Sequence, residues 1–403
     1  AQVLGGGQWL IGRDTRESGP ALAAAVAAGL AAGGAQPISV GVMPTPALAW
    51  LAAQRGVPAA MITASHNPWQ DNGVKFFAPG GLKLLDEVER AIEAVLQLEG
   101  PEPHDVVPSH VDALGEYVAH LVSLGGSLVG LRVVLDCANG AMSVAAPAVF
   151  RALGATVVVV HDRPDGRNIN DRCGATHTAS LAAAVVAEGA HLGLAFDGDG
   201  DRVIAIDELG NAVDGDRLIA LAALQLRDEG RLHADTVVVT VMSNLGFHKA
   251  MVAAGIEVLT TAVGDRYVLE ALDAHGHSVG GEQSGHIIYR DVATTGDGLL
   301  AGLRLAQFVH DGGHALAELA GGVMTSYPQV LVNVRVRERH PRVAAELSAE
   351  IEAAERSLGG DGRILVRASG TEPLIRVMVE AATVQQAQAV ADELAAVVLG
   401  RFA

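Results

Sequence analysis

Four glycine-punctuated segments of this chain carry side chains suited to handling phosphate. They are Thr63-Ala64-Ser65-His66-Asn67-Pro68, Asp197-Gly198-Asp199-Gly200-Asp201-Arg202, Gly281-Glu282-Gln283-Ser284-Gly285-His286 and Arg367-Ala368-Ser369-Gly370-Thr371-Glu372-Pro373. In turn they offer a nucleophile, a hard-cation site, a hydroxyl-binding pair and an anion clamp. Any one of them alone is a weak signal.

Asp197, Asp199 and Asp201 alternate with glycine straight after an apolar run. A turn there can fold three carboxylates around one small cation, and without a cation they would repel one another. Glu208, eleven residues after Asp197, gives the register of a calcium loop. Against that, Arg202 stands where such a loop needs glycine, and 203–206 reads as a strand instead of an exiting helix. Oxygen-only ligands with a phosphate partner favour Mg2+, while the bland alternative is an exposed Asp-Gly turn.

Ser65 follows an apolar run, in a loop where Asn67-Pro68 enforces a turn. A hydroxyl held at a strand end is available for chemistry or phosphorylation; read alone, the segment is a turn with a capping serine. Lys75 comes soon after, on Asp71-Asn72-Gly73-Val74, near enough to return to the same site. His66 takes a supporting role with Asn67, because a neighbouring histidine is rarely the base for its own serine.

Glu282 and Ser284 pair an acceptor with a donor/acceptor, which suits vicinal sugar hydroxyls, and the flanking glycines allow close backbone approach. His286 ends that loop and ordinarily titrates near neutrality, so it could exchange protons. By itself the segment is a strand-to-loop turn. Arg367, Ser369, Gly370, Thr371 and Arg376 combine guanidiniums, hydroxyls and a loosened backbone into a phosphate cradle, a reading compatible with a plain hairpin turn. The segment Gly12-Arg13-Asp14-Thr15-Arg16 follows a strand and could bring a cation to the site, with Arg13 in a supporting role, or form a surface ion pair. Asp216 and Asp265 read as helix N-caps, with Arg266 near substrate. Together the four segments point to phosphoryl transfer on a sugar phosphate.

Short β-branched runs alternate with Ala/Leu-rich stretches through most of the chain. Strands are expected at 9–13, 59–63, 132–136, 156–161, 192–196, 202–207, 236–241 and 257–261, and helices at 21–32, 85–97, 178–188, 216–227 and 243–254. This alternation predicts α/β layers with largely parallel sheets. The tail reads as a compact α+β unit, with strands at 329–337, 362–367 and 374–381 and helices at 341–357 and 384–399. A Pro-rich linker is expected at 99–109. The fold class expected is therefore α/β: three similar α/β domains with mixed or parallel sheets, and a smaller α+β C-terminal domain. The boundaries expected are 1–108, 109–212, 213–324 and 325–403, with one chemical segment in each domain.

Composition narrows the function. The 403 residues carry a net charge of −18, which argues against a nucleic-acid groove built on Lys and Arg. An anionic substrate must then be drawn in by local cations. Only Lys75, Lys83 and Lys249 are lysines, so Arg supplies nearly all the positive charge. Aromatics are 3%, leaving Ala, Val, Leu and Ile to build the core. Cys137 and Cys173 give neither a zinc spacing nor a disulfide framework, which fits a cytoplasmic setting. The longest apolar run, 21–35, falls short of a membrane span and reads as a packed surface helix.

These residues closely resemble the α-D-phosphohexomutase family, over essentially the whole chain. Ser65 matches its phosphoserine loop, Asp197, Asp199 and Asp201 its magnesium loop with Arg202 closing it, Glu282, Ser284 and His286 its sugar loop, and Arg367 to Thr371 with Arg376 its phosphate loop. Lys75 and His286 occupy the places of its proposed general acid/base groups. The resemblance implies four domains around a central cleft, and Mg2+ held by the aspartates and a phosphorylated Ser65. Gln283 and the segments 263–268, 293–298 and 374–380 resemble the family's bacterial phosphoglucosamine mutase branch. That branch implies glucosamine 6-phosphate and glucosamine 1-phosphate as substrates, with glucosamine 1,6-bisphosphate as intermediate, on the route to UDP-N-acetylglucosamine. It also implies a cytoplasmic monomer or homodimer with no nucleic-acid or membrane partner. The chain opens almost at the Gly12-Arg13-Asp14 strand, so an N-terminally shortened first domain is expected. The alternatives are a phosphoglucomutase/phosphomannomutase of the same fold, or a catalytically silent sugar-phosphate-binding homologue.

Overall fold

A computed structural model describes residues 3–84, 86–96, 106–369 and 372–402. Its strands form four separate sheets. The first contains β1 (Gly7–Arg13), β2 (Ala35–Val42), β3 (Ala59–Ile62), β4 (Val74–Phe77) and β5 (Ser109–His110), in the order β4-β3-β1-β2-β5. Central β1 pairs in parallel with both β2 and β3. Its Trp9, Leu10 and Ile11 are all buried, the unbroken apolar run of a strand covered on both faces. Helices Gly19–Ala32 and Thr45–Arg55 are the crossovers; Ala47, Leu48, Ala49, Leu51 and Ala52 of the second are inaccessible or nearly so.

The second sheet contains β6 (Arg132–Asp136), β7 (Thr156–Val160), β8 (Leu192–Phe196), β9 (Val203–Asp207) and β10 (Ala212–Val213), in the order β10-β9-β8-β6-β7. The third contains β11 (Thr236–Thr240), β12 (Glu257–Thr261), β13 (Val279–Gly281) and β14 (Ile287–Tyr289), in the order β12-β11-β13-β14. The three sheets share one device. A parallel strand (β3, β8 or β13) is followed by a strand that turns back antiparallel to it (β4, β9 or β14). Each connecting loop lies beyond the carboxyl end of a parallel strand, where open α/β sheets hold ligands. Those three loops are the serine, aspartate and Glu282 segments.

The fourth sheet is antiparallel throughout: β15 (Gln329–Arg335), β17 (Leu374–Glu380) and β16 (Arg363–Ala368), in that order. Helix Val384–Phe402 covers it with Ala387, Ala391, Leu394 and Val398. The chain clusters into two compact units, residues 1–242 with 254–323, and residues 243–253 with 324–403. Within the second, Glu380 accepts from the Leu245 N–H at 2.9 Å and the Asn244 amide at 3.2 Å, which fastens helix Leu245–Ala253 to the antiparallel sheet.

Several expectations are corrected. The helix expected at 341–357 is two, Val343–Glu346 and Ser348–Leu358, because fully buried Leu347 leaves helical geometry (φ −111°) to reach the core. The linker expected at 99–109 ends in a strand, since Ser109–His110 pairs with β2; residues 97–105 lie outside the described residues. Strand β2 and helices Thr45–Arg55, Leu114–Leu124, Met142–Ala152 and Gly298–Gly312 were not anticipated, β2 because Pro37 and Gly41 interrupt its pattern.

Candidate active site

Thr63 opens the serine loop. Its hydroxyl donates to Asp14 Oδ2 at 2.7 Å and accepts the Ser65 N–H at 2.9 Å. Ser65 is buried and sits in left-handed backbone, φ +52°, a conformation that side-chain-bearing residues keep only when their surroundings hold them there. That turn aims Oγ at the second sheet, where it donates to Asp197 Oδ2 at 2.6 Å. His66 Nδ1 stands 3.5 Å from Oγ, and Asn67 Nδ2 donates to Asp71.

Asp197, Asp199 and Asp201 converge as the spacing predicted, each offering a carboxylate oxygen within 4.8 Å of the others. Thr45 donates to Asp199 Oδ2 at 2.6 Å, and the Arg202 N–H donates to Asp197 Oδ1 at 3.2 Å. Lys75, on β4, reaches Asp199 Oδ2 at 2.8 Å and Asp201 Oδ2 at 3.2 Å, while the Arg202 guanidinium lies 3.8 Å from Asp201. Burial and then the charges of Asp201 and Asp199 push the Asp197 carboxyl well above its usual range. Burial also pulls on the Lys75 ammonium, but the three aspartates outweigh it and hold that ammonium above the lysine range. Asp201 is held well below the carboxylate range: burial is opposed and overcome by the charges of Lys75, Arg202 and Lys83.

A hard cation fits this donor set. All donors are oxygens, and Asp199 Oδ1 and Asp201 Oδ1 are buried without a hydrogen-bond partner, the condition of acceptors shaped for a metal. Glu208 takes no part: it accepts the Ala317 N–H at 3.2 Å, and the calcium-loop register has no structural counterpart.

The third loop is tied to the second. Arg202 and His286 form an isolated β-bridge, and the Val203 N–H donates to Gly285 O at 3.0 Å. Gly285 has φ +86°, and a Cβ there would lie 2.1 Å from Val203 O, so only glycine fits. Glu282 is half-buried, accepting the Gly264 N–H at 3.1 Å, and Ser284 is exposed. His286 departs from expectation: burial pushes its imidazole down to about 4, so at neutral pH it is uncharged. Its Nε2 lies 3.1 Å from Asp265 Oδ2, an oxygen that also takes the Lys83 ammonium.

Asp265 therefore pairs with Lys83 and His286 instead of capping its helix; Gly264 stands at the cap position. Asp216 is not a cap either. Asp214 caps helix Gly215–Asp228 by accepting the Arg217 N–H, and Asp216 is buried in the first turn. Arg266 binds Glu270 on its own helix at 2.9 Å. Arg13 folds back to Asp14 O at 3.3 Å, and the cation that reaches the serine loop is Arg16, three residues on. The segment expected to bring a cation does so, through Arg16 and not through Arg13. Sequence reasoning missed Asn170, Lys83 and Thr45: a loop asparagine carries no pattern, although Lys83 is one of only three lysines.

In the second unit, Arg367 and Arg376 are direct cross-strand partners on β16 and β17. Burial, and then the neighbouring Arg376 charge, lower the Arg367 guanidinium. Arg376 Nε is buried without a hydrogen-bond partner. Buried Ser369 accepts the Glu372 N–H at 3.3 Å and closes the loop; Gly370 and Thr371 lie outside the described residues.

Four domains of the phosphoglucomutase/phosphomannomutase family match in order: alpha/beta/alpha domains I (residues 1–101), II (98–210) and III (214–327), and the C-terminal domain (331–397). The phosphoglucosamine mutase of Rhodococcus jostii is 53% identical over 96% of this chain and 89% of its own length. That of Frankia casuarinae is 55% identical over 96% and 87%. Among solved structures, a phosphoglucomutase/phosphomannomutase family protein from Burkholderia thailandensis superposes with a TM-score of 0.83 at 25% identity, covering 99% of this chain and 90% of that one. Aspergillus fumigatus N-acetylphosphoglucosamine mutase, solved with GlcNAc-6P and magnesium, shares the fold at a TM-score of 0.66 and 21% identity, over 88% of this chain and 92% of that one. Among the described residues no helix is long and apolar enough to cross a membrane. With all four domains in order, and about half of its positions identical to phosphoglucosamine mutases over nearly its whole length, the chain belongs to the α-D-phosphohexomutase family.

Proposed function

We propose that this enzyme interconverts glucosamine 6-phosphate and glucosamine 1-phosphate, with Ser65 carrying the phosphoryl group and glucosamine 1,6-bisphosphate as the intermediate. The observation that carries the reading is the 2.6 Å contact of Ser65 Oγ with Asp197, at the edge of three converging aspartates and beside Lys75. The choice of an amino sugar rests on the phosphoglucosamine mutases that this chain is similar to.

Asp197, Asp199, Asp201 and Ser65 would hold Mg2+, which when bound offsets the charge of a phosphoryl group in transit. Transfer forms a bond from phosphorus to the sugar's free 1- or 6-hydroxyl oxygen as the bond to Ser65 Oγ breaks. Lys75, kept as an ammonium by the aspartates, stabilises negative charge on the leaving Oγ and can donate to it. Uncharged His286 is the group in this constellation able to accept the hydroxyl proton; phosphate dianions brought by the substrate raise its basicity. Glu282 and Ser284 would bind sugar hydroxyls. In the second unit, Arg367, Ser369, Gly370, Thr371 and Arg376 are the proposed phosphate-binding groups. His66, Asn67, Arg13 and Arg266 are assigned no chemical step.

Turnover of the purified enzyme on glucosamine, glucose and mannose 6-phosphates tests the reading. Preference for the amino sugar is expected. Equal or better turnover of glucose or mannose 6-phosphate would favour the phosphoglucomutase/phosphomannomutase alternative, and absence of turnover on all three would favour a binding protein.

A further inference from the structure

We propose that Arg16 and Asn170 form a two-sided clamp that sets the backbone of the phosphoryl-carrying serine, an inference that rests on the phosphoserine reading above. Arg16 is 1% exposed, the largest buried cation among the described residues. Its Nε donates to Asp14 Oδ2 at 3.0 Å, which would suffice to pair the charge. The other side-chain hydrogen bonds leave the carboxylate and fan out over the serine loop: Nη1 to Pro68 O at 2.6 Å, and Nη2 to Ser65 O and Asn67 O, both at 2.9 Å.

Asn170 comes from the second sheet, in the loop after β7. Its Nδ2 donates to the same two carbonyls, Ser65 O at 2.8 Å and Asn67 O at 3.0 Å. Asn170 is itself 8% exposed and in left-handed backbone (φ +57°), anchored by its N–H on Ala138 O at 3.0 Å. Each carbonyl thus receives two donors, one from each sheet.

The consequence concerns Oγ. Ser65 keeps its left-handed backbone only while its carbonyl stays between these donors; a return to ordinary backbone would swing the carbonyl out and carry Oγ away from Asp197. Arginine's planar fork fixes three carbonyls at once, which a single ammonium does not reproduce. Neither residue touches the reacting atoms, so both are positioning residues.

The test follows discharge of phosphate from Ser65 to added glucosamine 6-phosphate in a single turnover, per mole of phosphorylated serine, in the full chain with Mg2+. Wild type, Asn170→Ala and Arg16→Lys are compared, with KM and melting temperature read alongside. A clamp predicts discharge slowed by up to about a hundredfold with KM unchanged, the cost of a reacting group displaced by about an ångström. A wild-type discharge rate in Asn170→Ala overturns the proposal whatever its melting temperature, and this neutral variant decides the matter even if Arg16→Lys does not fold. A wild-type chain that never carries transferable phosphate on Ser65 overturns the phosphoserine reading itself, and the clamp with it.

Discussion

Ser65 Oγ and Asp197 Oδ2 lie 2.6 Å apart although 132 positions separate them in the chain. They meet because two sheets place their loops at the same topological position, beyond a parallel strand that is followed by an antiparallel one. The approach is so close that Gly198 has no room for a side chain: a Cβ there would lie 2.6 Å from Ser65 O and 2.8 Å from Asn170 Nδ2.

Gly198→Ala should therefore damage stability and activity together. Separating the two loops is expected to cost about 1–3 kcal/mol, the usual penalty of overpacking, and to lower kcat at least tenfold. Thermal melts and steady-state kinetics check this. An alanine variant with wild-type kcat would mean that the serine and aspartate loops need not touch for turnover.

Asp199 offers one oxygen without a partner and one held by Thr45 and Lys75; Asp199→Asn removes the charge and turns one of the two into an NH2 that cannot ligate a cation. The expected loss is about 10²–10³ in kcat at saturating Mg2+, the scale of removing one electrostatic contact to a developing charge. Chelation should silence the wild-type enzyme and Mg2+ should restore it. Full activity in chelator would contradict the metal assignment.

How much of this was legible in the sequence follows from what each signal depends on. Asp197, Asp199 and Asp201 announce themselves because the whole site lies within five residues and glycine lets it fold back. Strands β6 and β8 were expected with their observed bounds, since continuous β-branched or apolar runs mark strands buried on both faces; edge strand β12, half-buried, was bounded by its β-branched run alone. Asn170 was invisible, and Arg16 could not be told from Arg13 within its segment: their importance lies in which carbonyls they meet, and that is set by the packing of two sheets. Asp265 was misread because a carboxylate at a helix start looks like a cap until Lys83 and His286 are brought to it. His286 was expected near its ordinary pKa, since burial cannot be read from a loop sequence.

Asp297 supplies a pH signature beside the site, between Gly296, which packs on His286, and Gly298, whose N–H donates to Gly200 O of the aspartate loop. It caps helix Gly298–Gly312 and accepts from Tyr117 with both oxygens at 2.9 Å, yet burial pushes it up to about 6 from 3.8. The folded protein therefore binds this proton more tightly than the unfolded chain. Its stabilising effect is complete below about pH 4 and is lost as pH rises to about 6, a total of roughly 3 kcal/mol. Asp297→Asn, which can still cap the helix, should remove that slope. Denaturant unfolding of both proteins between pH 4 and 7 measures it, and parallel pH profiles would contradict the assignment.

The most direct measurement is the intact mass of the purified enzyme with peptide mapping of Ser65. One added phosphate is expected, localised to Ser65 and discharged by excess glucosamine 6-phosphate, with no turnover in Ser65→Ala. Full turnover by Ser65→Ala, or a wild-type Ser65 that never accepts phosphate from glucosamine 1,6-bisphosphate, would contradict it.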